Sequence, residues 1–251
     1  MPVFACTGHS SPSGRLSSRG IEVNVSEEAN ERVKSREEIA AAYDSPPWWY
    51  DLRGFLILTF AYNSTLGHQL RFLGPNYGAR HLEVACGTGT LLQMVLRWRK
   101  RRGMPPVHVV GVDYAEPMLE GAKRRFAGNA SLEFHHADAA RLPFADASFD
   151  TANIANSLHC FPAVDAALAD IRRVLKPGGT LAANVLLYPR GSWPLGAIAK
   201  RINAWGIQKG ILVTPYRRED IRQRIVGAGL LVESEEVSGN CYDVLARKPE
   251  A

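Results

Sequence analysis

The 251-residue sequence predicts an α/β fold, a doubly wound and mainly parallel sheet with helices on both faces. Three observations carry that prediction. From residue 81 onward short apolar runs alternate with helical patterns, and strands alternating with helices need crossover connections, which produce a parallel sheet. The first apolar run leads directly into a glycine-rich turn, HLEVACGTGT at 81–90, where a strand can bend sharply into a helix. Near the C-terminus two strand candidates, LLVESEEV and YDVLARK, are separated only by Ser238-Gly239-Asn240, the spacing of an antiparallel hairpin.

Taken in order, the chain begins with MPVFACTGHSSPSGRLSSRG, rich in Ser, Gly and Arg and without an acid. Such a stretch has no apolar face to bury, so residues 1–25 are expected to be a flexible tail. The composition also suits a transit peptide, but no amphipathic helix is evident. SEEANERVKSREEIAAAY at 26–43 offers Ser26 as a cap with acids in the first turn, which predicts a helix. After PPWWYD a second apolar helical stretch runs to about residue 72. The core then alternates HLEVA with the helix TLLQMVLRW, VHVVGVD with EPMLEGAKRRF, and LEFHHAD with FDTANIA as further strands. The helix AVDAALADIRRVL is expected to stop at Lys176-Pro177-Gly178-Gly179, before the strand TLAANVLL. An irregular stretch from Tyr188 to Pro215 precedes a helix near REDIRQRIVGAG and the hairpin. The expected division is thus a tail (1–25), an N-terminal helical segment (26–78), and a core (79–251) with an insertion near 188–215.

Bulk properties exclude several classes. Hydrophobic residues make up 46% and charged residues 22% of the chain, which is ordinary globular composition. A chain of this length can bury about 70–75% of the surface it exposes when unfolded. The apolar run GFLILTFAY at 54–62 falls short of the ~20 residues that span a bilayer. Cys6, Cys86, Cys160 and Cys241 are scattered, with neither the paired spacing of a metal site nor the density of a disulfide scaffold. No metal is expected, and a reducing, cytoplasmic compartment fits. The net charge of +5 is mild, and WRKRR at 98–102 reads first as a solvated helix end. A nucleic-acid partner is therefore not expected.

In a doubly wound sheet, ligands sit beyond the carboxyl ends of the strands, so the Gly87 and Gly89 loop faces the ligand. A dinucleotide would call for a third glycine, but that position is Leu92. Asp113, ending the second strand, can accept hydrogen bonds from both hydroxyls of a ribose, a device shared by several nucleotide-like ligands. Its loss is expected to weaken ligand binding with little effect on the unliganded fold.

The run Glu83-Val84-Ala85-Cys86-Gly87-Thr88-Gly89 resembles the first motif of class I S-adenosylmethionine-dependent methyltransferases. The likeness continues through Asp113 and YAEPMLEGAKRRF, Ala137-Asp138-Ala139, the phrase LPFADASFD, FDTANIANSLHC and LKPGG. It extends over residues 39–247 and is most similar to the ubiquinone/menaquinone-type small-molecule subgroup. The resemblance implies a Rossmann-like sheet of seven strands, the last antiparallel, and S-adenosylmethionine as cofactor with S-adenosylhomocysteine as product. It implies that Glu83, Ala85, Gly87 and Gly89 belong to the loop around the methionine part, and that Asp113 and Tyr114 lie at the ribose. By the same likeness Met118 would pack on the adenine, Asp138 would accept its amino group, the Ala139 backbone would meet the ring edge, and Asn156 would leave the fourth strand beside the cofactor. It also makes the N-terminal helices a lid, with Tyr43 closing over the cofactor.

Methyl transfer is an in-line displacement at a carbon already activated by the sulfonium, so positioning dominates and a base is needed only if the acceptor must lose a proton. His159, at the exit of the fourth strand, is the candidate base. Trp48, Trp49 and Tyr50, together with His159 and Trp193, are the candidate acceptor-binding residues. Their aromatic surface suggests a small, apolar or amphipathic acceptor, and leaves room for peripheral contact with a membrane. Three other readings stay open: a non-catalytic cofactor-binding subunit or sensor, a quinone-modifying homologue that uses the cofactor differently, and a nucleotide-linked oxidoreductase. Neither the acceptor nor the oligomeric state is legible.

Overall fold

The central apolar runs form strands buried on both faces, as strands in the middle of a sheet covered by helices must be. The computed structural model describes residues 64–188 and 216–250, with Ala197, Arg201 and Ala204 between them in helical backbone. The expected tail, the helix at 26–43, Tyr43, Trp48, Trp49, Tyr50, GFLILTFAY and Trp193 lie outside the described residues.

The elements follow the order α1 (Leu66–Leu73), β1 (Arg80–Val84), α2 (Thr90–Arg101), β2 (His108–Asp113), α3 (Glu116–Arg125) and β3 (Leu132–His136). They continue with β4 (Phe149–Ala155), a single 3₁₀ turn (Leu158–Cys160), α4 (Val164–Val174), β5 (Leu175–Leu186), α5 (Arg218–Gly227), β6 (Leu231–Ser238) and β7 (Cys241–Arg247). The seven strands lie in the order β3-β2-β1-β4-β5-β7-β6. Strands β1 to β5 are parallel, and β7 runs antiparallel to both β5 and β6. The fold is the Rossmann-like, doubly wound sheet that the alternation of runs predicted.

Each helix is where its apolar stripe requires. α4 buries Val164, Ala167, Leu168, Ile171 and Val174, a spacing of three and four that sets one face against the sheet. With α5 it covers the side holding Leu82, Val84, Phe149, Ile154, Leu181 and Val185. On the opposite side α1 and α2 cover Leu73, Tyr77, Leu92, Val95, Val109 and Ala182. Thr65 caps α1 by accepting from the His68 amide at 3.2 Å.

LKPGG departs from expectation. The sequence placed these residues in a stop before the strand, but β5 begins at Leu175 and includes them. The pairing with β4 jumps from Phe149↔Leu175 to Thr151↔Thr180, so the intervening residues form an irregularity inside the strand. Gly178, at φ 74°, and Gly179 exchange backbone hydrogen bonds with Lys248 instead, at 3.0 and 2.8 Å. Pro177 and Gly178 therefore interrupt the ladder without ending the strand.

Candidate functional site

Strand order reverses between β1 and β4, because the chain leaves β1 toward β2 and β3 and leaves β4 toward β5. At that switch point each strand is followed directly by a non-glycine residue with left-handed backbone, Ala85 at φ 55° after β1 and Asn156 at φ 56° after β4. Such conformations are uncommon for side-chain-bearing residues and gather at ligand sites. Both residues line a cavity that continues along the exits of β2, β3 and β4.

The glycine loop is built by close approach. Gly87 has φ 54° and Gly89 has φ 73°, and a Cβ on Gly89 would stand 2.7 Å from the Phe126 ring. Gly89 also caps α2, and its amide donates to the Cys86 carbonyl at 3.0 Å. Leu92 is buried on the core side of α2, where a third glycine would leave a void.

Asp113 ties the loop to the end of β2. Its Oδ2 accepts from the Gly87 amide at 2.7 Å and its Oδ1 from the Ala115 amide at 2.8 Å. Burial pushes its carboxyl above the usual carboxylate range, and these amides oppose that shift. A carboxylate oxygen can accept more than one hydrogen bond, and the side chain borders the cavity. The expectation that Asp113 matters little to the unliganded fold is corrected here, because two backbone amides depend on it.

Further along the cavity, Tyr114, Met118, Asp138 and Ala139 form one wall. Met118 is buried on α3. Asp138 closes a turn by accepting from the Ala140 amide at 2.9 Å. The opposite wall is Ser157, Cys160, Phe161, Pro162, Ala163 and Ala167. Sequence reasoning did not assign these six, although Ser157 and Cys160 belong to the segment FDTANIANSLHC, Phe161, Pro162 and Ala163 follow it directly, and a doubly wound sheet places strand exits at the ligand.

Four expected residues are placed elsewhere. Gly87 and Gly89 do not border the cavity with the residues above. Glu83 is buried beneath the loop on the α1 side, where its Oε2 accepts from the Tyr77 hydroxyl at 2.8 Å and lies 3.2 Å from His81 Nε2. His159 is also buried in the 3₁₀ turn, and desolvation pushes its imidazole down to about 4. It does not border the cavity. A buried, weakly basic imidazole is poorly suited to take a proton, which argues against the expected base.

A residue the sequence reading missed holds Asn156 in place. Gln69 of α1 is fully buried, and its amide pairs reciprocally with that of Asn156 at 2.7 and 3.0 Å. Among the described residues, no cluster of three or more His, Cys, Asp or Glu could hold a metal ion. No described helix is long and apolar enough to cross a membrane.

Comparison with known proteins agrees with this geometry. Residues 82–183 match a family model described as a methyltransferase domain. The chain is 34% identical over 148 residues to a demethylmenaquinone methyltransferase of Clavibacter sepedonicus, covering 59% of this chain and 58% of that one. It is 38% identical over 110 residues to the demethylmenaquinone methyltransferase of Staphylococcus aureus strain JH9, covering 44% of each. The matched stretch thus spans about half the length of these relatives. A crystal structure of a SAM-dependent methyltransferase from Aquifex aeolicus superposes with a TM-score of 0.59 at 19% identity, covering 81% of this chain and 99% of that one. At that identity the likeness speaks to the fold.

Proposed function

We propose, for a chain whose residues 82–183 match a methyltransferase domain, that it transfers the methyl group of S-adenosylmethionine to a small quinol-type acceptor. The observation that carries this reading is the cavity at the switch point, lined by acids at the exits of β2 and β3 and by a buried methionine of α3 between them. The donor set suits the cofactor. Asp113 borders the cavity, where its carboxylate can accept from ribose hydroxyls. Met118 offers a soft apolar surface for the adenine, and Asp138 and the Ala139 amide offer an acceptor and a donor for its edge. The small Ala85 side chain leaves space for the methionine part at the exit of β1.

When bound, the cofactor supplies an electrophilic methyl carbon on a positive sulfur. The chain holds the two reactants in line and keeps bulk water out, and such positioning is worth about 7–11 kcal/mol of a barrier. The names of the relatives support a prenylated naphthoquinol as acceptor, methylated on carbon. Its apolar tail agrees with the aromatic run Trp48, Trp49 and GFLILTFAY, which precedes α1 in sequence, and with work from the cytoplasmic side of a membrane surface.

The test uses purified protein, labelled methyl donor and a short-chain demethylated naphthoquinol kept reduced with dithionite. Label in the ring methyl of the product is the expected result. Calorimetry should show S-adenosylhomocysteine bound in the micromolar range and NAD bound more weakly. Tighter NAD binding would overturn the cofactor reading, and cofactor binding without transfer to any acceptor would favour a non-catalytic subunit.

A further inference from the structure

The face of the sheet beneath α1 holds a polar cluster that the cofactor cavity does not use. His68 Nε2 lies 2.5 Å from Asp243 Oδ2. Asp243 is fully buried on β7, and its second oxygen accepts from the Asn184 amide of β5 and from the Cys241 thiol. Asn184 is also fully buried, and its Oδ1 has no hydrogen-bond partner among the described residues. Asp243 and Asn184 are register partners across β5 and β7, and Asn184 is the register partner of Ala155 at the end of β4. The cluster therefore lies along the carboxyl edge of the sheet, two strands wide, adjoining Asn156 at the cavity rim. His68 and Gln69 are consecutive on α1, one bound to Asp243 and the other to Asn156.

A packing role alone accounts poorly for this arrangement. Buried polar groups cost free energy unless fully paired, and an apolar set of the same volume would avoid the unsatisfied Asn184 oxygen. The imidazole is also not sealed, with 21% of its side chain exposed. A carboxylate only accepts, so in the neutral imidazole Asp243 holds the proton on Nε2 and leaves the Nδ1 lone pair to accept. An aspartate that orients a histidine in this way is the arrangement of an activated base.

We propose that His68, oriented by Asp243, is the base that takes the hydroxyl proton of the acceptor, in the place His159 is too buried to fill. The proposal rests on the quinol-methyltransferase reading above. The quinol O–H proton moves to Nδ1 of His68, and the phenolate drives electron density to the neighbouring ring carbon. That carbon forms a bond to the methyl group while the carbon–sulfur bond breaks, its electron pair remaining on sulfur. The ring C–H proton then leaves to water, and His68 returns its proton to the oxygen. One proton is released for each methyl group transferred.

The test compares wild type with His68→Gln, whose amide can still donate to Asp243. The probe is a 1,4-naphthoquinol with a short prenyl chain, kept reduced. The expected result is a fall in kcat of about 100-fold or more, with KM, S-adenosylhomocysteine affinity and melting temperature near those of wild type. A variant that retains kcat within twofold overturns the proposal while leaving the methyltransferase reading intact. An inert wild type overturns the acceptor reading, and the dyad's role with it. If the variant fails to fold, diethylpyrocarbonate treatment of wild type decides. Carbethoxylation of His68, located by peptide mass, should abolish transfer and be prevented by the quinol; modification with transfer intact, or none at His68, refutes the base.

Discussion

Replacing Asp113 with alanine should damage the unliganded fold as well as ligand binding. The substitution removes the acceptor for the Gly87 and Ala115 amides, now held at 2.7 and 2.8 Å. A charge-assisted bond of this kind contributes ~1.5–3 kcal/mol. Asp113 borders an open cavity, so water can reach part of the vacated space, and the lower value for each bond gives about 3 kcal/mol in total. In a chain of this size each kcal/mol moves the melting temperature by about 2–4 °C, so the apo variant should melt roughly 6–12 °C below wild type. Binding should weaken separately by ~1.5–3 kcal/mol, or roughly 10- to 100-fold, as the ribose hydroxyls lose their acceptor. Scanning fluorimetry without ligand and calorimetry with S-adenosylhomocysteine measure the two effects. A melting temperature unchanged within a degree would refute the structural role. A destabilised variant with wild-type affinity would refute the ribose role.

Gly89→Ala should lower stability by ~1–3 kcal/mol, because it forces a side chain into left-handed backbone and brings a Cβ within 2.7 Å of Phe126; an unshifted denaturation midpoint would contradict this. Gln69→Ala should strand the Asn156 amide at a cost of ~1–3 kcal/mol and weaken S-adenosylhomocysteine binding as the left-handed turn loosens, both read from one ligand-dependent melting series. His159, lowered from 6.5 to about 4 by burial, binds its proton more weakly folded than unfolded. Stability is therefore intact above about pH 6.5 and declines as pH falls toward 4, by about 2 kcal/mol at pH 5. Urea denaturation of His159→Gln should show that part of the acid sensitivity removed, and an identical pH dependence would count against the assignment. For Trp49→Ala, a raised acceptor KM with an unaltered melting temperature is expected from a pocket residue, whereas a loss of ~3–5 kcal/mol would show that it is core.

The sheet was legible because both of its signals are local. Period-two and continuous apolar runs mark strands, and Gly87, Gly89 and Asp113 each follow a run directly, so their positions at strand exits needed no tertiary knowledge. LKPGG misled for the same reason. Pro and Gly report local backbone preference, and the pairing of Gly178 and Gly179 with Lys248 is a contact across seventy residues that no local preference encodes.

The polar side of the sheet shows the limit more sharply. Along β1, β4, β5 and β7 one set of alternate residues faces α4 and α5 and is apolar, including Leu82, Ile154, Ala183 and Val244. The other set includes Glu83, Asn153, Asn184 and Asp243, all buried. Read singly, each of those four residues resembles the solvent face of a half-exposed strand, since charged and amide side chains are seldom fully buried without partners. Their burial follows only once α1 covers them, and α1 brings His68 and Gln69 to bind Asp243 and Asn156. A helix seated by polar bonds is fixed in register more strictly than one seated on grease, because a one-residue slip would leave several buried groups unpaired at once. That strictness has a functional consequence under the proposed reaction. The same helix that sets His68 against Asp243 also holds the left-handed Asn156 at the cavity rim, so the position of the base and the shape of the cofactor site are set by one rigid element.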